Sequence, residues 1–264
     1  MAAKKSASTE IVKWDEELAA AAEEAKNLAA QQAGGGAKVI GIRGGVMTVD
    51  GNPVPGNALV GVIAGFTLCN KYFESDFDPD NPASPVCYAY GQSKDEMGPH
   101  DEAEKPQNER CTGCPHNEFG SSDKGKGKAC KNTYQLMLLP AGDYDAKTDS
   151  FEPPASPDEL DGELYVLSVP PTSLRAFAGY VSQLASNLRP PWACFTRVSV
   201  TPDPKTQLKL GFQLVKNADT DLLAALKARH EEAMKAIEVP FPKNSEREEA
   251  QPAKKAAPKR RGRF

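Results

Sequence analysis

The chain has 264 residues, 39% apolar and 7% aromatic, with 22 prolines and 21 glycines; it can bury one full core and is too loop-rich for a helical bundle. No apolar run nears the ~20 residues that span a bilayer, and no apolar segment follows the charged start, so neither a membrane span nor a secretory signal is expected. The net charge of −4 is uneven: residues 243–264 carry eight Lys/Arg against three Glu, a net of +5 that leaves −9 on the rest. A uniformly basic polyanion binder is excluded, and any such binding must work through local patches. The expected location is cytoplasmic (host cytoplasm, were the chain viral), where clustered cysteines more often hold metal than pair.

In chain order, Ser6, Ser8 and Thr9 before Glu10 open a helix with apolar residues at Ile11, Trp14, Leu18, Ala21, Ala25 and Leu28, a helical spacing that Gly34, Gly35 and Gly36 end. Residues 1–36 are therefore expected to be a helix and a glycine linker. From residue 37 the pattern becomes β-prone: 38–42, 46–49 and 59–68, with turns at Gly44-Gly45 and Asp50-Gly51. Residues 70–90, broken by Pro79 and Pro82, are expected to be a loop, and 92–110 an acidic surface excursion. Strands are expected over 133–139 and 163–169, with a Pro/Asp/Ser loop over 143–161 between them.

Thr172 or Ser173 then caps a helix with Leu174, Phe177, Val181, Leu184 and Leu188 on one face. Residues 192–201 and 207–214 form a second hairpin, and 219–237 a final amphipathic helix. From 240 to 264 the composition is polar, charged and Pro-rich, the pattern of a disordered basic tail. The whole reads as an α+β domain over 37–239, flanked by helices and built on a β-barrel or curled sheet. An OB-like barrel suits this strand number and its large loop insertions; other small barrels suit them too.

The chemistry concentrates in 87–131. Cys87, Cys111, Cys114 and Cys130 are four of six cysteines, and Cys111-Thr112-Gly113-Cys114 is a C-x-x-C knuckle. Zn²⁺ favours four soft ligands in a tetrahedron, and one tight turn can present two thiolates to it. Fifteen residues between Cys114 and Cys130 suit the two halves of a zinc ribbon. A structural Zn²⁺ on these four thiolates is the expectation, with His100 or His116 as possible replacements for one of them. Cys69 and Cys194 are expected to be buried thiols.

Between the knuckle and Cys130 runs a Lys/Gly loop with Lys124, Lys126 and Lys128, followed by Lys131. Either it is a solvated turn or it contacts phosphates. Nearby aromatics favour the second, because a cationic groove with stacking platforms holds single strands without reading their sequence. Tyr72, Phe73, Tyr88 and Tyr90 are the candidate platforms. A deaminase reading of His100-x-Glu102 with Cys111-x-x-Cys114 fails: Arg110 stands where proline is required, and eight residues after Glu102 are too few. With three histidines and no convincing catalytic set, a non-enzymatic protein is expected.

The stretches Cys87-Tyr88-Ala89-Tyr90-Gly91, Cys111 to Ser121 and Gly125 to Lys131 resemble a cysteine pattern in tailed-phage proteins described as single-stranded DNA-binding proteins. The similarity covers roughly residues 14–239. It implies an OB-like fold, an inserted zinc site and a role in phage DNA replication or recombination, with proteins of those processes as partners. Single-strand binders of phages and bacteria commonly end in an acidic tail with a final aromatic residue; here Phe264 closes a basic one. The alternative expectation is a zinc-stapled structural or regulatory protein that binds a replication or transcription protein.

Overall fold

One strand organises the domain. In the computed structural model, which describes residues 38–76, 78, 83–204 and 206–244, β4 (Ala58–Tyr72) runs for 15 residues and is buried over most of its length. Its sequence is almost continuously apolar, as a strand covered on both faces requires. On one flank it pairs antiparallel with β6 (Lys131–Pro140) along most of its length, from Gly61↔Pro140 to Lys71↔Lys131. The other flank is shared. Residues 58–62 pair with β10 (Cys194–Asp203), and residues 68–72 pair with β5 (Cys87–Gly91).

Beyond these, β6 pairs with β9 (Tyr165–Val169) and β10 with β11 (Gln207–Asn217). The resulting six-stranded sheet has the order β11-β10-β4-β6-β9, with β5 beside the far end of β4. A small sheet of β1 (Ile40–Arg43), β2 (Val46–Val49) and β3 (Asn52–Pro53) and a hairpin of β7 (Asp143–Asp145) and β8 (Ser150–Glu152) complete the strands among the described residues.

Alternation along the strands sends side chains to two cores. Ile63, Leu136, Leu138, Leu167 and Val198 meet Phe177, Tyr180 and Leu184 of helix α1 (Leu174–Ser186). On the opposite face, Ala64, Met137 and Val166 meet Ala233 of helix α2 (Leu223–Ala236), while Val62, Leu139 and Phe195 meet Leu226. Gly65 allows that approach: a Cβ there would stand 3.0 Å from Met234 Sδ.

Between its two partners on the shared flank, β4 bulges, with a register shift between Ile63 and Gly65. Side chains serve that stretch. The ring nitrogen Nδ1 of His230 lies 2.6 Å from the Ala64 carbonyl, and Gln92 Nε2 donates to the Phe66 carbonyl at 3.3 Å.

The α+β class, the antiparallel sheets and the two helices agree with the sequence. Barrel closure does not, because among the described residues β11 and β9 remain the edges of an open sheet. Of the loop expected over 70–90, residues 70–72 belong to β4 and 87–90 to β5, and the loop expected over 143–161 contains the β7–β8 hairpin. Ser173 does sit at the N-cap of α1, but its Oγ accepts the Leu210 N–H of β11 at 2.9 Å instead of capping the helix. Leu188, expected on the buried face, lies beyond the helix in a left-handed conformation (φ 54°) and is 91% exposed.

Within residues 240–244, assigned to the tail by composition, two side chains are anchored on the domain: the Phe241 ring meets Tyr88 at 5.0 Å, and Asn244 bonds to Ser84 and Glu104. The expected N-terminal helix and the basic tail from 245 onward fall outside the described residues. Among the described residues no helix is long and apolar enough to cross a membrane.

Candidate metal and nucleic-acid site

The far end of β4 gathers the cysteines. Cys87 opens β5 opposite Tyr72, and Cys130 immediately precedes β6, whose first residue Lys131 lies opposite Lys71. The two cysteines thus arrive on opposite flanks of one strand. The knuckle is brought over this end by backbone bonds: Cys111 N–H donates to the Met97 carbonyl at 2.9 Å, and Cys130 N–H to the His116 carbonyl at 2.8 Å. Gly113, at φ 78°, makes the turn of the knuckle in a conformation other residues rarely adopt.

All four predicted ligand cysteines line one cavity of about 20 Å³, room for roughly one water-sized body. None is in a disulfide. Among the described residues, no group of three or more His, Cys, Asp or Glu side chains is placed tightly enough to hold a metal ion as it stands. The cavity therefore brings the four thiols together without a finished coordination sphere. The chemistry of the donor set weighs more than their present spacing, because small side-chain rotations change the spacing and leave the donors the same.

Polar groups around the sulfurs favour their ionised form. Burial raises the Cys87 thiol above its ordinary range, while the Gln107 backbone N–H donates to it and opposes the rise. Burial likewise raises Cys111, opposed by a bond from the Asn70 side chain. Cys130 is pushed up to about 12, first by burial and then by the neighbouring Cys111, Cys87 and Cys114, with the Lys71 backbone N–H opposing. N–H donors aimed at three of four clustered sulfurs are the outer-shell pattern that stabilises thiolate ligands. The residues present fit a soft divalent cation.

Asn117 ties the knuckle to the lysine loop. Its Nδ2 donates to the Cys111 carbonyl at 2.9 Å, and its Oδ1 accepts Asn132 Nδ2 at 2.9 Å and Lys128 Nζ at 3.3 Å. Lys128 also stands 5.1 Å from the centre of the Phe119 ring, which is 81% exposed. Lys131 donates to the Lys128 carbonyl, Lys126 is exposed, and Lys124 pairs with Asp76 at 2.6 Å.

A second, larger cleft of about 430 Å³ adjoins the thiol cavity, lined by Tyr72, Phe73, Asp76, His116, Lys124 and Lys131 among others. Tyr72 and His116 line both spaces, and their rings stack at 4.1 Å with 26° between planes. The two spaces thus share this stacked pair.

Of the four predicted platforms, Tyr72 is half-buried against His116 and Phe73 is 36% exposed. Tyr88 and Tyr90 are corrected. They are 2% and 8% exposed and pack with Cys69, Ala103 and Phe241, because β5 is covered on both faces. Cys69 and Cys194 are fully buried, as expected. His100 does not line the thiol cavity; it stacks on Tyr88 at 4.9 Å and its Nδ1 lies 3.2 Å from the Tyr88 hydroxyl. The pattern of residue types gave no signal for Asn70, Asn117 and Asp76, since each acts through contacts that only the assembled strands create.

No protein-family model, curated protein or solved structure matches the chain.

Proposed function

We propose that this chain is a sequence-non-specific single-stranded DNA-binding protein with a structural Zn²⁺ held by Cys87, Cys111, Cys114 and Cys130. One observation carries the reading: the lysine loop and the four-thiol cavity are joined through Asn117, so whatever fixes the knuckle also fixes Lys128 and, through the Lys128 carbonyl, its neighbour Lys131. Bound there, Zn²⁺ supplies no reaction chemistry; it offsets the thiolate charge and contributes folding energy. The chain's own residues do the binding. Lys126, Lys128 and Lys131 meet backbone phosphates from the exposed side, and Tyr72 and Phe73 offer ring surface to bases.

The OB-like reading of the sheet belongs to this proposal. Its support is the long, bulged β4 shared by two strands on one flank, the kind of strand a partly open barrel needs to turn a corner. A role in phage-type replication or recombination, with proteins of those processes as partners in a host cytoplasm, follows from the resemblance of the cysteine segment. No catalytic role is assigned to any residue.

A second reading, a zinc-stapled module that binds a protein, is favoured by the acidic side chains around the cleft. Glu74 pairs with Lys105 and Asp76 with Lys124, which lowers the positive field a polyanion would meet.

A labelled poly-dT oligomer separates the two. The DNA reading expects a shift at low salt, and a flatter dependence of log K on log[salt] when Lys124, Lys126, Lys128 and Lys131 are replaced together by alanine. No shift at low salt overturns it. The metal is tested by elemental analysis of the purified protein: zinc lost on Cys111→Ser supports the site, and a folded metal-free wild type sinks it.

A further inference from the structure

The cleft beside the thiol cavity, at about 430 Å³, falls within the range of sites that enclose small molecules, roughly 300–1,000 Å³. The stacked rings of Tyr72 and His116 are part of its lining, and Phe73 adds a partly exposed ring. Flat aromatic walls hold nucleobases whatever their identity, because every base has a π-face. The charges around the cleft are nevertheless mixed. Glu74, Asp76 and Asp123 line it together with Lys124 and Lys131. Glu74 is matched from outside by Lys105, at 2.7 Å. Lys124, the first cation of the Lys/Gly loop, is held by Asp76 at 2.6 Å.

We propose that the cleft takes one base of a single strand against the Tyr72–His116 wall, and that Asp76 competes with the strand's phosphate for Lys124. This rests on the single-strand reading above and adds to it a subsite and a brake. The side chains of the Lys124–Asp76 pair are 71% and 81% exposed, and a pair that open to water is weakly held. A phosphate exchanges with the Asp76 carboxylate at little cost. Until it does, the carboxylate keeps Lys124 neutralised and lowers the affinity of weak or misplaced polyanions. Because Tyr72 and His116 also line the thiol cavity, the wall of the subsite is set by the same segment that would hold the metal.

The test uses the full-length, zinc-loaded chain and a fluorescein-labelled dT oligomer at low salt. Asp76→Asn is expected to tighten binding by about two- to five-fold, the scale of an exposed ion pair. Asp158→Asn, which removes an equal charge from an exposed position that does not line the cleft, is expected to change it less. The gain from Asp76→Asn should vanish when Lys124 is already alanine, a coupling that a general charge effect does not produce. Oligomers carrying 5-iododeoxyuridine should photo-crosslink to Tyr72, Phe73 or His116.

An Asp76→Asn gain equal to that of Asp158→Asn, or one that survives Lys124→Ala, overturns the brake. Crosslinks confined to other parts of the chain overturn the subsite. If the wild type does not bind dT at all, both this inference and the single-strand reading fall. If it binds and the variants behave as wild type, only the inference does.

Discussion

The sheet and the cysteine cap are stabilised in opposite ways. Around β4 the chain buries Ile63, Leu136, Leu138, Leu139 and Phe195 almost completely, with a helix against each face. The cap over residues 92–130 has no strand and a single short 3₁₀ turn, Pro115–Asn117. Its buried side chains are few: Met97, Ala103, Cys114 and Cys130. The sheet is held by apolar area removed from water, and the cap by specific polar contacts and, on the reading proposed above, by one metal. Damage to the first should be global and graded by volume. Damage to the second should be local.

The largest expected effect falls on the sheet. Leu138→Ala removes a side chain with no exposed surface and should cost about 2–5 kcal/mol, seen as an earlier denaturation midpoint for the whole domain. Loss that stays within one strand pair would break the comparison. Next comes chelation or Cys111→Ser, which should drop zinc from about one per chain to none. Residues 92–130 should then become open to proteolysis while far-ultraviolet circular dichroism keeps the sheet signal. If the sheet melts with the metal, the two regions are one cooperative unit and the contrast fails.

Asn117→Ala is a smaller, purely polar test. It removes two hydrogen bonds within the cap and one to Asn132 at the start of β6, about 1–3 kcal/mol of local opening. Amide exchange over 111–130 should speed up with little change in the global midpoint.

The smallest effect at neutral pH, and the one specific to the sheet side, concerns Tyr180. Burial raises its phenol from 10.0 to about 12, and its hydroxyl lies 2.5 Å from Thr196 Oγ1. The folded state thus holds the proton more tightly than the unfolded chain. The stabilisation is complete below pH 10 and is lost as pH rises towards 12. Tyr180→Phe should flatten that alkaline fall in stability, measured by urea unfolding at several pH values.

The same contrast explains what could be read from residues alone. Periodicity located β4, β6, β9, β10, β11 and both described helices, because each buries a stripe or a continuous apolar run and the pattern is local. Strand β5 escaped because Cys87-Tyr88-Ala89-Tyr90-Gly91 is short and follows prolines. Its tyrosines looked like platforms only while no second face was known to cover them. Barrel closure depends on which edges meet, and no local pattern encodes that. In the cap and at its edge on β5, residue type and spacing picked out Cys111, Cys114, Cys130 and Cys87, and the fold brings all four to one cavity. Their supports, Asn70 and Asn117, carried no signal, since one comes from the end of β4 and the other from the loop beyond the knuckle.

The shared flank of β4 has a consequence for how such a chain could be built up. The cap leaves the sheet at Gly91, opposite Leu68, and re-enters at Lys131, opposite Lys71 on the other flank of the same strand. With strands spaced about 4.8 Å apart and about 3.4 Å of rise per residue, those two points lie roughly 15 Å from each other. A connection of about five extended residues spans that gap. The segment that carries Cys111, Cys114, Cys130 and the loop lysines Lys124, Lys126 and Lys128 is therefore a cassette that closes against Cys87 of β5. It can be lengthened, exchanged or grafted onto another scaffold at a cost set by two anchor points, while every rung of the ladder beneath it stays in register.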